Sequence, residues 1–502
     1  MKPAAPFPQS VLDSRWLLPA AVGGALGVGW LVGQVGALVP GVLLGGTLGV
    51  FVVLLVFSSP RAGLVIFIGY CFGVMTLNRH YGNSPFGLGM EALLGLTWLA
   101  VAFHRSPEFR WALVRNDLCG LALLWFIINV LELANPAGAS PMGWLYEMRG
   151  TTLYWVLTVP LACLVFGQRR DLRLFLGLII GLSVLGTLYG IKQKVLGVDE
   201  MEQHWLDLGA GRTHLLWGQL RVFSVYSEAA QFGTSQAHVA LICLILALGP
   251  FARWQRLLLA GAAGLLLYGM LISGTRGALF LLVVGGAIYL LLSKQLKVLL
   301  LGALLGAGAF GVLKYTTLGN SNLNIQRLRT GLDPQDASLQ IRLQNQRVLR
   351  EYLATRPLGG GVGVSGMWGT TYNADKFLSS IPPDSYFVKV WVEYGIVGLL
   401  IWLSIVLYLL GKCGGIVWRT RDPRLRQQLL ALTAGYGGIL ASSYGNEIMN
   451  QMPSAMIIFL SWVFVFNGPR LDTPPLALAT HPDQPNQPAN SAHPNSAYPN
   501  YV

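Results

Sequence analysis

The sequence predicts an all-α polytopic membrane protein of about 12–14 transmembrane helices, with one large, partly helical loop on the outer side. Three observations support this. Of 502 residues, 53% are hydrophobic and 11% charged, whereas soluble domains carry about 25% charged residues. Apolar stretches near the roughly 20 residues that cross a hydrocarbon core recur along the whole chain. Basic residues fall in short clusters between those stretches rather than within them.

Taken in order, residues 1–15 are polar and proline-rich, opening "MKPAAPFPQSVLDSR". No small-residue cleavage site precedes a mature domain, so the segment reads as a cytoplasmic N-terminus and not as a signal peptide. Residues 16–190 supply spans near 16–36, 38–57, 61–78, 86–103, 117–134, 150–166 and 171–190. Residues 191–470 supply the rest, near 233–250, 254–272, 276–293, 297–313, 385–411, 427–444 and 452–467. Lipid offers the backbone no hydrogen bonds, so each span must be a helix. Residues 471–502, rich in Pro, Asn and Ser, read as a disordered cytoplasmic tail. Cys71, Cys119, Cys163, Cys243 and Cys413 mostly lie in or beside apolar spans without a CxxC, and read as small apolar packers.

The net charge of +13 raises nucleic acid as a partner, but its distribution argues against it. The basic clusters occupy 104–115, 168–173, 252–256, 293–297 and 412–426. Each follows an even number of spans, so all five mark one side, which the positive-inside rule makes cytoplasmic. Both termini are then inside, and the surroundings are membrane lipids.

That topology puts two long segments outside, 191–231 and 314–383. Loops of such length are functional or disordered. Within the second, "ASLQIRLQNQRVLREYLATRP" has apolar residues at helical spacing and a proline stop. Arg276 stands in "SGTRGA", a glycine-flanked turn between two spans, at an outward-pointing helix start. Free N–H groups, the helix dipole and a guanidinium fork together make an anion site; snorkelling to headgroups is the plainer alternative. Arg221 and Glu228 lie in "LRVFSVYSEAAQFG", an anchoring pair or part of the same site. Arg342 sits on the loop helix, where Arg347 and Arg350 compete with it. Residues 361–366 match GxGxxG, but a helix precedes them instead of a strand, so they read as a glycine hinge ending the loop helix. Asp384 follows two prolines and opens a span, where it is a helix N-cap or a carboxylate that takes a proton from a sugar hydroxyl. No Asp/Glu cluster at metal-ligand spacing appears in the outer segments, and no metal or cofactor is expected.

"LRVFSVYSEAAQF", "SGTRGA", "RPLGGGVG" and "PPDSYFVKVWVEYGIVGL" occur in this order around one outer loop. Over roughly residues 215–470 the chain resembles the O-antigen ligase and O-antigen polymerase family of bacterial membrane glycosyltransferases. The resemblance implies a GT-C-like fold at the periplasmic face of the inner membrane. It also implies metal-independent transfer of a glycan from undecaprenyl pyrophosphate to an acceptor hydroxyl. The acceptor is a lipid A-core sugar, a growing glycan or a protein. By resemblance, Arg276 matches the family's Thr/Ser-Arg-Gly turn, and Arg221 the arginine before its Glu/Asn-Pro-like turn, here "SEAAQF" without the proline. Asp384-Ser385 stands where ligases carry His-Asn. Arg276, Arg221, Arg342 and Glu228 are then expected to bind substrate, with Asp384 and Arg276 catalytic, around one outer cavity. The alternatives are a repeat-unit polymerase and, from another class, a flippase for lipid-linked glycans. A flippase would need charges near the midplane of several helices, and here they gather at one face.

Overall fold

The computed structural model describes residues 38–82, 86–104, 109–216, 218–294 and 336–472, with scattered positions from 300 to 335. The expected N-terminus 1–15, the span at 16–36 and nearly all of the 471–502 tail lie outside the described residues, and the span at 297–313 largely does.

The first half of the chain forms α1 (Leu38–Ser58), α2 (Pro60–Tyr81), α3 (Leu88–Phe103), α4 (Asp117–Leu131), α5 (Pro141–Met148), α6 (Tyr154–Val165) and α7 (Arg169–Val195). A π-helical turn, Arg149–Leu153, joins α5 to α6. That makes one apolar segment, Pro141–Val165, which begins nine residues before the expected span. The 191–231 segment folds into α8 (Glu200–Trp205), α9 (Gly211–His214) and an antiparallel hairpin pairing Leu215 with Leu220. Then come α10 (Ala229–Ala247), α11 (Arg253–Ser273), α12 (Gly277–Leu292), α13 (Ala337–Leu353), α14 (Gly366–Tyr372), α15 (Tyr386–Arg419), α16 (Pro423–Ser442), α17 (Ser454–Phe466) and α18 (Gly468–Asp472). Among the described residues, seven helical segments are long and apolar enough to cross a membrane, and four shorter apolar helices accompany them. The protein is an all-α polytopic membrane protein.

Helix α10 is buried along nearly its whole length, against α7, α11, α12 and α16. Its Ala, Gly, Ser and Thr residues let neighbouring backbones approach closely. Two of its glutamines find partners inside: Gln236 accepts from Thr187 at 2.9 Å and Gln231 donates to the Met452 carbonyl at 2.6 Å. Apolar side chains also face outward, Leu257 73% and Val283 68% exposed. Lipid is the solvent that suits them. All five cysteines are free and buried.

The basic loops meet at one end of the bundle. Lys412 pairs with Asp117 at 2.6 Å, Arg169 with Asp422 at 2.8 Å, and Lys294 and Arg424 donate to the Trp418 and Pro250 carbonyls. At the other end the start of α10, the α11–α12 turn and the start of α15 come together. Thr275 Oγ1 donates to the Ala229 carbonyl at 2.9 Å, and the Tyr386 N–H to the Ser443 carbonyl at 2.9 Å.

Helix α15 breaks at Gly395 (φ 66°, ψ −169°). The break frees carbonyls, and the glycine run supplies donors for them: Gly360 N–H to Val392 O at 2.8 Å and Gly361 N–H to Glu393 O at 3.0 Å. The run is therefore a backbone clamp on α15, not a hinge ending the loop helix, which stops at Leu353. Only glycine fits such contact: a Cβ on Gly395 would stand 2.0 Å from the Pro357 carbonyl oxygen. Gly395→Ala is expected to lower stability by about 1–3 kcal/mol, read by thermal unfolding. Gly411→Ala on the same helix, where a Cβ meets nothing within 4 Å, should cost nothing measurable.

Candidate active site

The end of the bundle away from the basic loops holds a cavity of about 420 Å³. Its charged and amide groups come from four parts of the chain. Glu228 stands at the start of α10, Arg342 on α13 and Asp384 ahead of α15, while Asn446, Glu447 and Gln451 follow α16. Helix α14 and the segment leading to Asp384 complete the wall. Leu349 and Leu353 of α13 pack with Val388 and Val392 of α15, which holds the loop helix over the site.

Asp384 is not the N-cap. Ser385 caps α15, its hydroxyl accepting from the Val388 N–H at 3.5 Å. Two prolines fix the approach and leave Asp384 at φ 50°, a left-handed conformation that side chains other than Asn and Asp resist. The carboxylate is thus released from helix duty and lines the cavity. Burial holds it above the ordinary aspartate range; Arg342 opposes this and Glu447 adds to it. Glu228 is raised in the same way, by burial first and then by Glu447, with Arg221 opposing.

Arg276 occupies the N-cap position of α12, after Gly274 turns the chain through the left-handed region at φ 60°. Its Nη1 lies 2.6 Å from Asp336 Oδ2, and Asp336 Oδ1 accepts from the Leu339 N–H to cap α13. One aspartate thereby ties the loop helix to the arginine turn. Arg221 lies directly after the hairpin, in irregular backbone ahead of α10. Its Nε and Nη1 donate to the Ser273 and Thr213 carbonyls at 3.2 and 2.9 Å. Burial, and after it Arg327 and Arg276, lower its pKa to about 10, with Glu228 opposing. It is charged at neutral pH all the same. Arg221, Arg276 and Arg327 thus lie near enough to repel one another, with Asp336 offsetting the charge of Arg276 and Arg327 and Glu228 that of Arg221. Of the three loop-helix candidates Arg342 lines the cavity, and Arg347 and Arg350 do not. The structure therefore brings Asp384, Glu228 and Arg342 onto one wall, and sets Arg221 and Arg276 next to it.

Sequence reasoning missed a buried group behind that wall. Lys389 Nζ lies 3.0 Å from Glu147 Oε2 and 3.0 Å from Glu447 Oε2. Buried Glu393, one turn along α15, accepts from the Ser365 hydroxyl at 3.0 Å. The signal was present in "YFVKVWVEYG", where Lys and Glu at i, i+4 interrupt an apolar span. Among the described residues, no three His, Cys, Asp or Glu side chains group closely enough to hold a metal ion.

Residues 261–403 match the family described as O-antigen ligase, which supports the resemblance drawn from the motifs. The match takes in Arg276, Arg342 and Asp384 and leaves Arg221, Glu228, Glu147 and Glu447 outside it. No curated protein matches the chain.

Proposed function

We propose, from the O-antigen ligase match over residues 261–403 and the cavity it meets, that the protein transfers a glycan en bloc from undecaprenyl pyrophosphate to an acceptor hydroxyl. The match supports an O-antigen ligase- or polymerase-like glycosyltransferase in general, working with a lipid-linked glycan and an acceptor in a membrane. In the finer reading, the cavity opens to the periplasmic face of the inner membrane, opposite the basic loops and both termini. In the reaction the acceptor oxygen bonds to the anomeric carbon as the bond from that carbon to the pyrophosphate oxygen breaks. The electron pair leaves with the pyrophosphate, and the hydroxyl proton passes to Asp384.

The observation that carries the reading is a cavity lined by Asp384, Glu228 and Arg342, with Arg221 and Arg276 beside it. A departing pyrophosphate gains negative charge, and preorganised guanidinium forks stabilise it without a metal ion. Arg276, Arg221 and Arg342 would hold the pyrophosphate. Glu228, at the cavity wall, would accept a hydrogen bond from the acceptor. Asp384, raised by burial, is a better proton acceptor near neutral pH than an ordinary aspartate. The acceptor itself is a lipid A-core sugar, a lipid-linked repeat or a protein hydroxyl.

Purified protein supplied with a glycan on undecaprenyl pyrophosphate, in EDTA, is expected to release undecaprenyl pyrophosphate and place the glycan on an acceptor. Movement of the intact donor across a vesicle with no bond cleavage would make it a flippase instead. A strict requirement for added divalent cation would mean that the arginines do not stabilise the leaving group by themselves.

A further inference from the structure

The group behind the cavity wall is assembled from three distant parts of the chain. Lys389 is 5% exposed and Glu147 4% exposed, so neither reaches solvent. Glu447 differs: it lines the cavity. Its Oε2 is bound to Lys389, so a residue of the cavity lining is tied directly to the buried lysine. An exposed Lys–Glu pair would contribute little. This one is desolvated, and breaking it would leave two carboxylates without their counter-charge.

We propose that Lys389 is a positioning residue: anchored on Glu147, it holds the Glu447 carboxylate at the cavity wall, where that fixed negative charge acts on Asp384. The inference rests on Asp384 being the proton acceptor. Charged groups face Asp384 from each element around it: Arg342 from α13, Glu228 from the start of α10 and Glu447 from the segment after α16. Lys389 stands behind Glu447. Glu447 adds to the upward displacement of both Asp384 and Glu228. An aspartate below its pKa is protonated and cannot accept, so transfer falls away as pH drops through that value. Removing the Glu447 charge should lower the pKa and move this acid limb to lower pH.

The experiment is the pH dependence of kcat/KM for the full chain in nanodiscs. In Glu447→Gln the acid limb should move down by roughly one pH unit. Lys389→Met alone leaves the buried Glu147 carboxylate without its counter-charge and is at risk of unfolding. Lys389→Met/Glu147→Gln removes one charge of each sign, so it keeps the balance while releasing Glu447. This double variant should remain folded, and kcat should fall by as much as roughly 100-fold as the wall group loses its geometry. Lys389→Arg, which can still reach both carboxylates, should restore the wild-type limb. Wild-type profiles in Glu447→Gln and the balanced double variant, with Asp384→Asn inactive, would overturn the role of Lys389 and leave Asp384 as base. An active Asp384→Asn variant would overturn both.

Discussion

Asp384→Asn is expected to stay folded, with thermal stability near wild type, and to lose at least roughly 100-fold in glycan transfer, the lower end of general-base contributions. The local geometry makes this substitution a clean one. Asparagine accepts a positive φ about as readily as aspartate, so the 50° conformation imposes no new strain. The cap of α15 is Ser385, and its hydroxyl is untouched. What disappears is the ability to take a proton, because an amide cannot. Arg342 and the Glu447 carboxylate would still face the site. Alanine would be a poorer probe, since it adds left-handed strain to the loss of the carboxylate. Initial rates of acceptor glycosylation, together with a melting curve, decide the matter. A folded and fully active Asn variant would place the base elsewhere, with Glu228 the next carboxylate on the wall.

Arg276→Lys is expected to lower turnover by roughly 100- to 1000-fold, the range for losing one preorganised electrostatic donor. Lysine keeps the charge and can still pair with Asp336, so the tie between the arginine turn and α13 should survive. It does not keep the planar fork that binds two oxygens of one phosphate. Arg276→Ala should lose activity and, with the contact to Asp336 gone, loosen α13 over the cavity as well. Comparing the two variants separates catalysis from anchoring. The measurement is release of undecaprenyl pyrophosphate at saturating acceptor, alongside protease resistance of the 337–384 segment. Near-normal release by the lysine variant would mean that Arg276 only anchors the turn at the membrane surface.

Much of the architecture was legible in the chain itself. Lipid enforces helices of a minimum length, so apolar runs declare them; α11 at Arg253–Ser273 and α12 at Gly277–Leu292 fall within a residue of the expected spans. The turn bearing Arg276 was equally plain, because glycine and a helix start are local signals. Other features were left open or misread where a long-range contact decides against local preference. The sequence "PPDS" offers two capping residues, and docking of Tyr386 N–H on the Ser443 carbonyl accompanies the choice of Ser385. The glycine run looked like a helix stop until its partner, the break at Gly395, came beside it.

What depends on neighbours along the chain can be read from it directly: the all-helical membrane architecture, the basic loops and the arginine-bearing turn. Which charges meet is a matter of packing. Glu147, Lys389 and Glu447 belong to three separate segments, and nothing local to any of them announces the other two. A buried charge is tolerated only when folding brings its counter-charge to it. That pairing is a property of the packed bundle, and it is what places carboxylates and arginines around one cavity.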